Sequence, residues 1–207
     1  MYTTKVTPLK DPISYDVYIE MVKSLVEKGL TTGPDQSEVL INYTKLNFKR
    51  MTRLNKTIEV SEELIKAVNS IPFNMKWVVI SEAWCGDAAQ NLPYIAHLAK
   101  ASGNVELNIV LRDQNLDLMD QYLTNGSRSI PKVVFMKADT LEEIATWGPR
   151  PNIVQEKVVE FKKGNTPNIT FEKFSESIHA WYAKDKNNAL NNELLVIFHA
   201  LKESNTA

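Results

Sequence analysis

The residue best suited to chemistry is Cys85, the single cysteine among 207 residues, within the segment Trp-Cys-Gly-Asp-Ala at 84–88. A thiolate can attack a disulfide sulfur, but one cysteine cannot close an intramolecular disulfide. A redox cycle at Cys85 would therefore need a thiol from outside the chain. Because no internal disulfide is possible, we expect a reducing, cytoplasmic location.

The three histidines are dispersed, and the sequence shows no metal-ligand spacing among His97, His179, His199 and the cysteine. Protein metal sites normally show such spacing. We therefore expect no metal ion.

Composition indicates an ordinary soluble globular protein, with 43% hydrophobic and 24% charged residues. The formal net charge of -1 gives no electrostatic reason to expect nucleic acid or an anionic membrane as a partner. No apolar run reaches the roughly 18 residues of a spanning helix. The first 16 residues lack the apolar core of a signal peptide, so we expect no secretion.

Cys85 follows a short apolar run at 77–80, which predicts a buried strand, and precedes a predicted helix at 86–100. Unpaired N–H groups and the dipole at a helix N-terminus favour a thiolate, so we expect an exposed thiol with a lowered pKa. The alternative is a small, buried, inert side chain. Asp87 and Glu82 would raise the pKa of the thiol. Arg112 and Arg128 would offset this rise in the pKa if they lie near the thiol, although arginines are also typical of a solvated surface.

The remaining elements predict a mixed sheet with helices on its faces, because strands and helices follow in the order β-α-β-α-β-β. The further strands are predicted at 105–111, 132–136 and 141–147, and the second helix at 115–123. Outside this region, apolar periodicity predicts helices at 13–28, 37–53, from 61, 152–163, 170–184 and 188–202. We divide the chain into an N-terminal helical extension (1–57), an α/β domain (58–163) and a C-terminal helical extension (164–207). The apolar face of the last helix must pack on the core or on a second copy, which would make a homodimer.

Three motifs, taken in order, resemble the thioredoxin superfamily. Residues 84–86 resemble the start of its Trp-Cys-Gly-Pro-Cys motif, 113–115 its Asp-Gln-Asn turn, and 128–131 its Arg-x-Ile-Pro motif. The resemblance covers roughly 60–163 and implies an α/β thioredoxin-like fold with a central mixed sheet of about four strands. The longer segment 82–91, with helical flanks, resembles a bacterial subfamily of uncharacterised thioredoxin-like proteins.

The resemblance implies roles for individual residues. Cys85 matches the attacking nucleophile, and Trp84 matches the indole over the active-site surface, although simple packing would also explain it. Pro131 matches the family's cis-proline, whose neighbour Ile130 offers backbone hydrogen bonds to an extended substrate. The predicted substrate-binding set is Trp84, Gly86, Asp87, Ala88, Ile130 and Pro131.

The sequence also departs from the family pattern. Ala88 stands in place of the second cysteine, and Val79 in place of the buried aspartate that serves that cysteine. Asp87 replaces the active-site proline. The absence of the second cysteine is consistent with the absence of the buried aspartate, because an acid that serves a missing thiol has no purpose.

Two functions follow. In the first, the protein is a monothiol oxidoreductase: Cys85 attacks a disulfide or a sulfenic acid, and a low-molecular-weight thiol such as glutathione releases the product. Its partners would be protein or small-molecule thiols and disulfides. In the second, it is a redox-inactive peptide- or protein-binding module. A glutathione-held iron–sulfur cluster between two subunits is a weaker third option, since Trp84 and Asp87 look unlike that branch.

Overall fold

Four strands form one mixed sheet in the order β2-β1-β3-β4 in the computed structural model, which describes residues 8–166 and 168–204. They are β1 (Met75–Ser81), β2 (Val105–Leu111), β3 (Lys132–Lys137) and β4 (Glu143–Trp147). β1 pairs parallel with β2 and antiparallel with β3, and β3 pairs antiparallel with β4. The predicted fold class is therefore confirmed.

The central strand β1 is buried on both faces, as its uninterrupted apolar sequence predicts. Successive side chains point to opposite faces of a sheet. Trp77 and Val79 accordingly pack in the larger core cluster, and Val78 and Ile80 in a smaller one. Cys85 belongs to the smaller cluster, which therefore lies beneath the predicted site.

Eight α-helices surround the sheet in the described chain. They are α1 (Tyr15–Lys28), α2 (Glu38–Thr57), α3 (Glu62–Asn69), α4 (Gly86–Ala101), α5 (Leu116–Met119), α6 (Asn152–Lys162), α7 (Phe171–Asp185) and α8 (Asn188–Ser204). Gly29 ends α1 in the left-handed conformation, as its position predicts. The hydroxyl of Ser61 accepts a hydrogen bond from the N–H of Leu64 and caps α3.

The predicted helix at 115–123 is wrong in extent. The chain forms a 3-10 turn at Arg112–Gln114 and then only the single turn of α5. Asn115, between them, does not have a helical backbone conformation. Its side chain instead forms hydrogen bonds with the backbone of Lys10 and Leu111. A polar side chain that bonds nearby backbone in this way competes with helix formation.

The last helix docks on the core of the same chain. The ring of Phe198 stacks on Trp77 with centroids 5.5 Å apart and meets Phe135 at 5.4 Å. Leu190 and Leu194 are buried beside it. The sequence left open whether the apolar face of this helix packs on the core or on a second copy. In the described chain it packs on the core.

No described helix combines the length and the apolar character that crossing a bilayer requires.

Candidate functional site

Cys85 occupies the N-cap position of α4, directly after the loop that leaves β1. The backbone N–H of Ala88 donates to Sγ at 3.4 Å, as a capping hydrogen bond. The thiol in turn donates to the carbonyl oxygen of Ile130 at 3.1 Å. The sulfur therefore has hydrogen-bond partners within the protein, and the bond to Ile130 uses it as a thiol and not as a thiolate.

The thiol is buried, with only 7% of Cys85 exposed. The pKa of Cys85 is raised to about 12, mainly by burial and secondarily by the negative charge of Asp87. The N–H of Ala88 and the charge of Arg150 lower the pKa but do not compensate. Our expectation of an exposed thiol with a lowered pKa is therefore wrong, because the loss of hydration outweighs the helix N-terminus.

The bond between Ile130 and Pro131 is cis, and Ile130 is buried. The resemblance implies that the backbone of Ile130 hydrogen-bonds a substrate. Its carbonyl oxygen instead accepts a hydrogen bond from the thiol of Cys85. A second segment packs closely behind this turn: a Cβ on Gly148 would overlap the carbonyl oxygen of Pro131, and its φ of 111° lies in the left-handed region. Only glycine fits at this contact.

The carboxylate of Asp87 is fully engaged by the C-terminal part of the chain. Arg150 donates to its Oδ2 from Nε at 2.9 Å and from Nη2 at 2.7 Å. The hydroxyl of Tyr182 donates to Oδ1 at 2.8 Å, and the side-chain amide of Asn91 donates to that hydroxyl at 3.1 Å. The side chains of Arg150 and Asp87 are only 15% and 17% exposed, so this ion pair is shielded from solvent.

Sequence reasoning missed Arg150 and Tyr182. They lie 63 and 95 positions after Asp87, and nothing in their own segments marks them. The one available signal was an arginine placed between two prolines, in the segment 148–151.

His179 of α7 is a third residue that sequence reasoning missed. Its ring lies against Gly86, where an added Cβ would be 3.1 Å from Cε1 and 3.2 Å from Nε2. The side-chain nitrogens of Gln90 and His179 (Nε2 and Nδ1) are 3.1 Å apart. Burial, and then the charge of Arg50, lower the pKa of His179 to about 4, so the imidazole is neutral near pH 7.

The buried acid of this region is Glu82 and not residue 79. Val79 packs among apolar side chains of the larger cluster. Glu82 is 0% exposed, its Oε1 accepts from the N–H of Asp113 at 2.9 Å, and burial raises its pKa. Glu82 was expected to raise the pKa of Cys85, but the perturbing charges are those of Asp87 and Arg150.

The two arginines that were expected to offset these acids have other partners. The guanidinium of Arg112 lies 4.7 Å from the ring centroid of Trp84 and pairs with Asp113 at 2.8 Å. Arg128 pairs with Asp120 on the exposed surface.

A groove of about 610 Å³ opens over Cys85. Five of the predicted site residues line it: Trp84, Cys85, Gly86, Asp87 and Ile130. The other two, Ala88 and Pro131, are buried behind them. Most of the remaining wall comes from α2, α6 and α7. Because α2 and α7 belong to the helical extensions, these extensions form part of the site.

No three His, Cys, Asp or Glu side chains within 8–166 and 168–204 are grouped so that they could share a metal ion.

The comparisons with known proteins concern the fold and the family. A family model described as Thioredoxin matches residues 33–165. No curated protein matches the chain. A crystal structure of a protein of unknown function from Pseudomonas aeruginosa is similar, with 18% identity and a TM-score of 0.55, over 91% of this chain and 98% of that one. An HIV epitope scaffold is similar at 17% identity and a TM-score of 0.54, over 91% and 99% of the two chains.

These likenesses to solved structures concern the fold alone. The family model spans more than half of the sequence and includes the segment around Cys85, the turn at 113–115 and Pro131. The chain therefore belongs to the thioredoxin family.

Proposed function

We propose that this protein is a redox-inactive member of its family that binds a ligand in the groove over Cys85. The observation that carries the proposal is the state of the thiol, which is buried and donates to the carbonyl of Ile130. Because its pKa is raised so far above neutrality, this thiol remains protonated at pH 7. Such a site lacks the nucleophile that disulfide exchange needs.

The dimensions of the groove support the proposal that the protein binds a ligand there. Its volume of about 610 Å³ lies within the range of roughly 300–1,000 Å³ typical of ligand pockets. The groove is also built from parts outside the α/β domain, since α2 and α7 supply much of its wall. The hydrogen bond from Tyr182 to Asp87 holds α7 against α4, and the ion pair of Arg150 with the same carboxylate holds the segment that precedes α6.

The test is the rate at which a thiol reagent labels Cys85 between pH 6 and pH 11, with Cys85→Ser as the unlabelled control. We expect a midpoint well above the unperturbed value of about 8.5 and no disulfide exchange at pH 7. A midpoint below about 7 would overturn the proposal.

Monothiol exchange is the second candidate, because Cys85 lines the groove and the N–H of Ala88 points at its sulfur. In that reaction the thiolate attacks a disulfide, one half leaves as a thiolate, and Cys85 holds the other half as a mixed disulfide. An external thiol such as glutathione then attacks, takes up that half as a new disulfide and regenerates Cys85. Turnover of a glutathione mixed disulfide that Cys85→Ser abolishes would establish this candidate.

A further inference from the structure

We propose that the ligand of the groove is a small organic anion with an apolar body, such as a carboxylate that carries a hydrocarbon chain. This inference rests on the function proposed above, since it takes the groove to be a ligand site and adds the chemistry of the ligand.

The apolar body is assigned to a wall of aromatic side chains on α6 and α7. The rings of Phe161 and Phe174 stack with centroids 4.1 Å apart and planes 10° apart. Phe171 adjoins them, 6.5 Å from Phe161, yet 58% of it is exposed. An exposed phenylalanine beside a formed aromatic stack offers apolar surface that a bound ligand would bury.

A second apolar wall comes from α2, where Leu40 and Tyr43 line the groove. Side chains from α2, α6 and α7 thus line the same space. An extended peptide would add to a free strand edge. The strand that follows Pro131, β3, pairs with neighbours on both sides, and neither edge strand, β2 or β4, lines the groove. The arrangement therefore favours a small molecule over a peptide strand.

The charge of the lining favours an anion. One carboxylate, that of Asp87, faces the groove together with four cations: Arg112, Arg128, Arg150 and Lys162. Each of the three arginines already pairs with an aspartate.

Lys162 differs from these arginines, since in the described chain its ammonium has no ion pair or hydrogen-bond partner. It directly follows Phe161 in α6 and lines the same groove. A free ammonium next to an aromatic wall matches a ligand with a negative head and an apolar body.

The experiment is calorimetric titration of the full chain with three probes that carry an unbranched tail of nine or ten carbons: decanoate, decyltrimethylammonium and decyl glucoside, all below their micelle-forming concentrations. We expect decanoate to bind at one site, with an affinity that falls as salt is added. The cationic probe should not bind, and the neutral probe should bind at least about tenfold more weakly than decanoate.

Two pairs of variants locate the binding site. Lys162→Glu should weaken decanoate binding about tenfold or more, whereas Lys157→Glu, an exposed lysine of the same helix outside the groove, should change it less than about twofold. Phe171→Ser should weaken binding severalfold, whereas Val196→Ser, a more exposed apolar residue of α8, should not. All four positions are exposed, so folding is expected to survive.

The outcomes separate this inference from the function on which it rests. Binding of all three probes with equal affinity would overturn the assignment of charge but keep the groove as a ligand site. If neither Lys162→Glu nor Phe171→Ser weakens decanoate binding, the site lies elsewhere and the inference is overturned. Failure of every probe would overturn it too, and the labelling of Cys85 would still decide between binding and thiol exchange.

Discussion

The guanidinium of Arg150 donates two hydrogen bonds to one carboxylate oxygen of Asp87, at 2.9 and 2.7 Å. This ion pair joins the segment after β4 to the first turn of α4, next to Cys85. Tyr182 of α7 donates to the other oxygen of the same carboxylate. The position that the family gives to proline has thus become the point at which the C-terminal helices attach to the site.

Arg150→Ala should destabilise the protein by about 3 kcal/mol, because it leaves a mostly buried carboxylate without its cation. Urea unfolding followed by circular dichroism measures the change. Arg128→Ala is the matched control, since Arg128 pairs with Asp120 on the exposed surface and no resolvable change is expected. Equal loss in the two variants would show that the pair with Asp87 has no special structural role.

Asp87→Asn should make Cys85 more reactive. The carboxylate is the second cause of the raised thiol pKa, after burial, and Arg150 would keep its positive charge nearby. The labelling midpoint should therefore fall, and the rate at pH 8 should rise about tenfold for each unit by which the pKa falls. Asp120→Asn, an exposed acid away from Cys85, should leave the rate unchanged.

Thermal unfolding of Asp87→Asn, measured in parallel, shows whether faster labelling comes from the folded state. If the variant is folded and its labelling midpoint is the same as that of the wild type, the carboxylate of Asp87 does not determine the thiol pKa.

The sequence was sufficient to predict what depends on local pattern. The apolar run at 77–80, the motif at 84–86 and the motif at 128–131 led to the correct sheet and to Cys85 at a helix N-terminus. The state of the thiol was not predictable in this way, because its pKa depends on burial by distant elements. A helix N-terminus lowers the pKa of an exposed thiol, but here desolvation is the larger effect.

The same limit explains the residues that were missed. Tyr182 and His179 belong to an amphipathic helix whose periodicity predicts a buried face but not what that face contacts. Their role depends on the packing of α7 beside α4, which no short motif encodes.

Ala88→Cys should restore a disulfide that the present sequence cannot form. The N–H of Ala88 lies 3.4 Å from Sγ of Cys85, and the two residues pack in the same core cluster. Because the pKa of Cys85 is raised, the oxidation is carried out in alkaline solution, where it should lower the mass of the folded variant by about 2 Da; a reductant should reverse the change. Ala89→Cys is the control, because Ala89 packs in the other cluster. A disulfide in the control, or none in Ala88→Cys, would contradict the geometry of the first turn of α4.

The stability of the protein should depend on His179 in mildly acidic solution. Burial and the charge of Arg50 lower the pKa of its imidazole from 6.5 to about 4. Between these two values the unfolded chain binds the proton that the folded chain does not. The free energy of unfolding should therefore be highest above pH 6.5 and fall as the pH approaches 4, by at most about 3 kcal/mol from this residue.

The measurement that isolates His179 is urea unfolding at several pH values between 4 and 7, for the wild type and for His179→Gln. Other groups titrate in this range too, so the prediction concerns the difference between the two proteins: the variant should lose less stability on acidification. His199→Gln, at an exposed position of α8, should follow the wild type. If the two histidine variants show the same pH dependence, the imidazole beside Gly86 is not held neutral by its surroundings, and α7 does not bury it as described.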